Sequence, residues 1–472
     1  MTAHWQEKLY STLPISLQNL ACTIEGKRQR KLRFGGEFEK LLEWLEQSQW
    51  WSAKQIRVYQ EAELQKLIHH AYHTTPFYRR RFDEHKLKPA DIKTLADLQK
   101  LPLLTKEDVR NHFREMVSSE FNSKEMKLCQ TSGTTGKSLK FYQEPRAIQF
   151  RWAVWWRHRQ RFGVKFDSPY ATFTGLAAVP LAQNQPPFWR ENRALHQTIF
   201  TMHHLTPGKI ETIVERLNEG GFTYYAGYPS ILFVLAEFIE RFDYAISAPP
   251  KKIFTGAENL YEHHRQLIAK IFKAEVTDEY GFSEGCGNAS RCERDRFHED
   301  FEFGILECGE PEFLDENTRQ GRIIATGFSS YGMPFIRYDV GDVGTWKMDN
   351  CACGRYSNAL TQINGRIEDF VITPEGSRIL RFDYIFKDTQ QVCDAQVVQK
   401  ESGGVVLRIV RRPAYSQRDE AHLRDAMREK ISPTLLVEFE YVEEIERESN
   451  GKIRAVKSFL KPEIVNAKSI LS

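Results

Sequence analysis

Thr131-Ser132-Gly133-Thr134-Thr135-Gly136-Lys137-Ser138 carries the sharpest local signal in the chain. Its glycines let the backbone turn tightly and expose N–H groups as an anion cradle. Its hydroxyls and Lys137 add donors suited to phosphate oxygens. Met126, Leu128 and Phe141 flank it, so the expected local order is strand, glycine-rich loop, strand. A Walker A loop requires Gly-x-x-x-x-Gly-Lys-[ST]. Counting back from Gly136 puts Thr131 where the first glycine must stand, so that pattern fails. Taken alone, the stretch also suits a solvated hairpin turn.

Outward from this loop the chain changes character on both sides. Residues 36 to 120 read as mostly helical: Leu64, Leu67, Ile68, Ala71 and Tyr72 recur at helical spacing, and Pro76 ends that segment. Arg79-Arg80-Arg81 then reads as a solvated face beside a helix end. Residues 145 to 160 are expected to be helical, with Pro145 acceptable in the first turn. Short strand-like runs follow at Tyr170–Phe173, Phe222–Tyr225, Lys252–Phe254 and Glu275–Val276. Helices at Pro207–Asn218 and Ser230–Arg241 fall between them, an alternation that predicts a layered α/β domain. After about residue 300 the chain becomes rich in strands and turns, and a last segment of about 100 residues begins near 365.

Composition excludes several classes. The 472 residues carry 66 Lys+Arg against 63 Asp+Glu, a formal charge of +3, which gives no argument for nucleic acid or an anionic membrane. The apolar run Ile231–Ala236 is far too short for a membrane span. Trp5-Gln6-Glu7-Lys8 stands where a signal peptide needs an apolar stretch, so a cytoplasmic protein is expected. Of 8 cysteines, six lie after residue 280, which points to metal or reactivity rather than a disulfide scaffold.

Thr-Ser-Gly-Thr-Thr-Gly at 131–136 resembles the signature loop of the AMP-forming adenylating superfamily, which includes acyl-CoA synthetases. Other matches follow in the family's order. Gly256-Ala257-Glu258 is similar to the segment that borders adenine, and Tyr280-Gly281-Phe282-Ser283-Glu284 to the Tyr-Gly-x-Thr-Glu motif, with Ser283 replacing Thr. Tyr338-Asp339-Val340-Gly341-Asp342 resembles Tyr-Arg-Thr-Gly-Asp, with Asp339 and Val340 in place of Arg and Thr. Gly365-Arg366-Ile367-Glu368-Asp369 resembles the family's hinge, and Asn450-Gly451-Lys452-Ile453 its terminal Gly-Lys motif.

The resemblance implies an α/β fold: a large multi-layered adenylating domain over residues 1–364 and a small α+β mobile lid over 365–472. It implies ATP and Mg²⁺ as cofactors, with phosphates held by Thr131, Ser132, Gly133, Thr134, Thr135, Gly136 and Lys137. Glu284 would ligate Mg²⁺, Asp342 would take the ribose hydroxyls, and Tyr280, Gly281, Ser283, Gly256, Ala257 and Glu258 would line the nucleotide. Lys452 would supply a mobile positive charge to the attacking carboxylate, Arg366 would join the catalytic set, and Glu368 would be the pivot. The implied reaction activates a small carboxylic acid as acyl-adenylate and passes it to CoA, a carrier-protein thiol or an amine. Other classes remain: a kinase or NTPase, or a non-catalytic zinc-bearing scaffold of the same fold.

Cys292, His298, Cys351 and Cys353 make a closed set of three thiolates and one imidazole, of the kind structural zinc takes. Cys308 stands as a substitute ligand. The phenylacetate–CoA ligase branch of the superfamily often carries such a site, and Leu67–Phe82 resembles that branch's opening helix. The stretches 372–380 and 382–388 are more similar to relatives associated with capsular polysaccharide synthesis, which makes the acceptor an open matter. Trp152, Trp155 and Trp156 read as core, and Tyr228, just before Pro229-Ser230, is the expected acyl-pocket residue.

Overall fold

The computed structural model describes residues 9–131, 139–364, 371–379, 382, 385, 389, 391–401, 403–446 and 454–460. Twenty strands are assigned among them. β1 (Lys127–Gln130) and β2 (Lys140–Gln143) form an antiparallel hairpin around the glycine-rich loop, as expected. The main sheet is built from β3 (Tyr170–Thr174), β4 (Trp189–Asn192), β5 (Gln197–Thr201), β6 (Tyr224–Gly227), β7 (Lys252–Gly256), β8 (Glu275–Gly281), β9 (Asn288–Arg291) and β10 (Phe297–Glu299). It continues through β11 (Gly304–Asp315), β12 (Thr318–Gly327), β13 (Tyr338–Lys347) and β14 (Ala359–Asn364). Their order is β11-β12-β13-β14-β10-β9-β8-β7-β6-β3-β5-β4. The run β5-β3-β6-β7-β8 is parallel; antiparallel strands extend it on both sides. The chain is therefore mixed α/β.

Helix boundaries follow local chemistry. The helix Ala53–Thr74 begins at Ser52, whose hydroxyl takes the Gln55 N–H while Gln55 returns a bond from its own side chain to the Ser52 N–H. It stops where Thr75, preceding Pro76, is driven to an extended conformation. Pro76 then opens a second helix, Pro76–Glu84, which carries Arg79–Arg81: Arg80 pairs with Glu115, and Arg81 donates to the Leu103 carbonyl at 2.7 Å. Leu64, Leu67, Ile68 and Ala71 are all buried, as their spacing predicts, in a core shared with β9–β14. Burying each such leucine or isoleucine contributes about 1.5–3 kcal/mol. The strand expected at Phe222–Tyr225 runs instead from Tyr224 to Gly227. Gly220 and Gly221 both take positive φ, so the turn extends further and the strand starts two residues later.

The helix Pro145–Arg161 lies across the sheet and sets a polar layer inside the core. Arg157 is buried, with its guanidinium 2.6 Å from Asp300 and 2.7 Å from Glu302. Asn288 and Ser290 also donate to Asp300. Trp156 is buried in an aromatic core with Phe38 and Phe150, Trp152 lies beneath Arg33, and Trp155 Nε1 donates to Asn288 at 3.2 Å. The tryptophans are scaffold, as expected. Beyond β14, β15 (Val371–Ile372) pairs with β16 (Arg378–Ile379). β17 (Val392–Gln399), β18 (Gly404–Arg411), β19 (Leu436–Tyr441) and β20 (Val456–Ser458) make a separate sheet ordered β19-β18-β17-β20, with the helix Gln417–Lys430 between β18 and β19. Among the described residues no helix is long and apolar enough to cross a membrane.

Candidate active site and metal centre

Parallel strands present their C-terminal ends to one edge of the sheet, where ligands of open α/β folds bind. β6 delivers Tyr228, β7 delivers Gly256–Glu258, and β8 delivers Tyr280–Glu284. Gly256 faces Glu279 so closely that a Cβ would stand 3.2 Å from the Glu279 Cγ and carbonyl oxygen. Ala257 holds a φ of +66°, a left-handed conformation that side chains seldom adopt and that recurs at functional turns. Glu258 turns back to the helix Pro229–Arg241: its carboxylate accepts from Ser230 Oγ at 2.5 Å and from Ser230 N at 3.3 Å. That places an anion against the positive end of the helix dipole and fixes the wall beside half-buried Tyr228.

Glu284 is buried. Tyr338 on β13 donates its phenolic hydrogen to Glu284 Oε1 at 2.5 Å. From the other side, Gln143 at the end of β2 donates to the Glu284 carbonyl at 3.2 Å, and Arg151 donates to the Ser283 carbonyl at 3.1 Å. Arg151 also holds Gln143 at 3.1 Å, so one small network fixes the Ser283–Glu284 backbone. A carboxylate anchored through one oxygen suits a hard divalent cation such as Mg²⁺. Tyr280 donates to Asp342 Oδ2 at 3.0 Å. Burial first, and then the nearby carboxylates, push both tyrosine hydroxyls well above their ordinary range, so each stays protonated as a donor.

Thr131 is bonded across the base of the loop to Leu139. Its hydroxyl accepts the Leu139 N–H at 2.8 Å while its own N–H donates to the Leu139 carbonyl, also at 2.8 Å. It closes the neck of the loop. The other loop residues proposed to hold phosphate (Ser132, Gly133, Thr134, Thr135, Gly136 and Lys137) lie outside the described residues, as do Arg366, Glu368 and Lys452. Asp339, which replaces the arginine of the related motif, pairs with Arg322 and accepts from the Gly341 N–H at 3.0 Å, so it shapes the turn that presents Asp342. Gln143, Arg151 and Tyr338 were not singled out by residue patterns; only the position of Tyr338 inside the Tyr-Asp-Val-Gly-Asp stretch gave a signal.

The expected metal ligands do converge. One ligand atom from each of Cys292, His298, Cys351 and Cys353 lies within 4.8 Å of the others. Cys292 Sγ stands 3.8 Å from Cys351 Sγ, and Cys353 Sγ stands 3.3 Å from His298 Nε2. A tetrahedral centre with Zn–S of about 2.3 Å and Zn–N of about 2.0–2.1 Å requires edges of about 3.8 and about 3.6 Å, so the donor set fits zinc. His298 Nδ1 lies 3.3 Å from Ser357 Oγ, which orients the ring, and the Arg294 N–H points to Cys292 Sγ at 3.4 Å. Burial is the largest influence on Cys353 and opposes its thiolate, but hydrogen bonds from His298 and Arg355, together with the His298 charge, outweigh it and hold the thiol down to about 5. Gly354, with φ +84°, turns the chain directly after the last ligand. Cys308 sits on β11 outside this cluster.

Residues 371–459 match the family model described as the CapK C-terminal domain. The sequence is 24% identical to Protein CapK of Staphylococcus aureus over 453 residues, 94% of this chain and 98% of that protein. It is 24% identical to the phenylacetate-coenzyme A ligase of Thermus thermophilus over 349 residues, 68% of this chain and 72% of that protein. Among solved structures it is similar to 2-hydroxyisobutyryl-CoA ligase in the postadenylation state with R3-HIB-AMP, with a TM-score of 0.55 and 18% identity over 87% of this chain and 90% of that one. The chain thus resembles CapK and the phenylacetate–CoA ligases and has the fold of the AMP-forming acyl-CoA ligases.

Proposed function

We propose that the chain is an ATP-dependent, AMP-forming acid ligase. A carboxylate oxygen of the acid attacks the α-phosphorus of ATP and pyrophosphate leaves; a thiol or amine then attacks the acyl carbon and AMP leaves. The observation that carries this reading is the pair of tyrosine-anchored carboxylates, Glu284 and Asp342, on adjoining parts of one strand-end surface next to the clamped glycine-rich loop. Relatives named as CoA ligases support it.

In this reading Glu284 Oε2 holds Mg²⁺, which when bound neutralises phosphate charge. Asp342 accepts from the ribose hydroxyls, and the loop 131–137 donates to the phosphates. Tyr228 bounds the acyl pocket with Glu258 behind it. Lys452 and Arg366 complete the charge on the reacting side. Residues 365–472 act as a lid pivoting at Glu368 against a body of residues 1–364. The Cys/His set holds structural zinc, since four protein ligands leave no open position.

The acceptor in this reading is CoA, a carrier-protein thiol or an amine, and the relatives named as CoA ligases support CoA among them. ATP–pyrophosphate exchange across aryl, acyl and amino acids tests the first half-reaction. No exchange with any acid, in folded zinc-loaded protein, refutes it; ADP release in place of AMP would assign a kinase instead. Trapping the acyl-adenylate with CoA, a phosphopantetheine thiol and hydroxylamine in parallel tests the acceptor.

A further inference from the structure

The helix Ile15–Phe34 is attached to the body with its polar side inward. Its buried residues are Gln18 and Gly26. Gln18 accepts from buried Arg190 on β4 at 2.7 Å, and a Cβ on Gly26 would collide with the Asn192 side chain. The aliphatic side chains face out instead: Leu17, Leu20 and Ile24 are 44%, 53% and 60% exposed and share one stripe through their i, i+3, i+7 spacing. Such a patch marks an interaction face.

The same stripe continues into cations. Lys27, Arg28 and Lys31 are exposed along the next turns, and exposed Arg193 lies alongside, its N–H bonded to Thr23 Oγ1 at 3.2 Å. Glu25 is the one acidic residue of this helix, and it pairs with Arg28. Arg30 and Arg33 are committed elsewhere, to Asp167 at 2.6 Å and to the Trp152 face at 4.2 Å. We propose that this face docks on an anionic lipid surface, its leucine end entering the acyl–headgroup boundary and its basic end lying among the phosphates. A flat interface of that kind satisfies both halves at once, by apolar burial and by attraction of cations to lipid phosphate. A second copy does not: an antiparallel contact centred on Leu20 would lay Lys27 and Lys31 over the partner's leucine end with no counter-charge.

Co-sedimentation of the full-length protein with vesicles of phosphatidylcholine alone, or with about one-third phosphatidylglycerol added, tests this. We expect binding to the anionic vesicles at least about tenfold tighter than to neutral ones, weakened by salt. The double variants Leu20→Asp/Ile24→Asp and Lys27→Glu/Lys31→Glu should each lose it while keeping the wild-type circular dichroism spectrum and exchange activity. The proposal is overturned if anionic vesicles are not bound, or if both variants bind like wild type. Wild-type self-association that the Leu20→Asp/Ile24→Asp variant loses, with no vesicle binding, would assign the face to a second copy.

Discussion

Tyr338 and Glu284, 54 positions apart, meet through a single 2.5 Å hydrogen bond that joins β13 to the turn after β8. Because the Glu284 carboxylate is buried, its donor count governs how firmly one oxygen is held while the other meets a cation. Removing a donor from a buried charged group costs about 1.5–3 kcal/mol, so Tyr338→Phe should weaken MgATP use by roughly 10- to 150-fold. Titration of ATP–pyrophosphate exchange with Mg²⁺ and ATP measures it; an unchanged Mg²⁺ dependence would remove Glu284 from the metal site.

Thr131→Val keeps the shape at the loop neck and removes the oxygen that accepts the Leu139 N–H. Loss of one neutral hydrogen bond of about 1 kcal/mol predicts a rise of roughly fivefold in the KM for ATP, with little change in melting temperature. If the variant matches wild type in ATP affinity, the clamp has no part in shaping the loop.

Zinc content should be one ion per chain by elemental analysis. Cys351→Ser and Cys353→Ser should each lower it and depress the melting temperature by about 5 °C or more, because binding free energy at such a centre is folding free energy. Cys308→Ser, outside the cluster, should leave both values unchanged. Full zinc content in Cys353→Ser would exclude that thiolate as a ligand.

Burial raises Glu279 to about 7, with Arg159 opposing the shift and Asp300 reinforcing it; His158 Nδ1 lies 3.5 Å away but is itself held neutral by burial. The folded protein therefore binds more protons than the unfolded chain between the ordinary glutamate range and pH 7. Stability from this group is complete below that window and is lost as pH rises through about 7. Glu279→Gln should flatten the fall in melting temperature between acidic and neutral pH. An equally steep fall in the variant would show that Glu279 titrates normally.

Much of this molecule could be read from neighbouring residues. The β1–β2 hairpin, the strands β3, β7 and β8 and the helix Pro145–Arg161 follow from turn chemistry and periodicity, and the convergence of Cys292, His298, Cys351 and Cys353 from residue type. The edge strand β4 and its neighbour β5 were not expected. Trp189-Arg190-Glu191-Asn192 mixes one aromatic with three polar residues, and Arg190 is buried with its Nε hydrogen accepted by Gln18, 172 positions away, and the rest of its guanidinium by Gln183 and the Pro187 and Trp189 carbonyls. The network around Glu284 was hidden for the same reason: Gln143 and Arg151 reach across 141 and 132 positions to backbone carbonyls, and a carbonyl leaves no trace in residue identity. The inverted helix Ile15–Phe34 escaped a reading by total charge, since its cations are cancelled by acids elsewhere.

The four Cys/His ligands come from the β9–β10 hairpin and from the loop joining β13 to β14. Glu284 lies just before the first of these elements, and Asp342 lies within β13, just before the second. Closing the metal centre therefore also fixes the spacing between the residue proposed for the cation and the residue proposed for the sugar. In the proposed reading, a chain made under zinc starvation would keep the pairing β8-β9-β10-β14-β13 but lose the tie that pins the β9–β10 turn to the β13–β14 loop. Competence for catalysis would then follow the cell's supply of a metal that never touches the substrate.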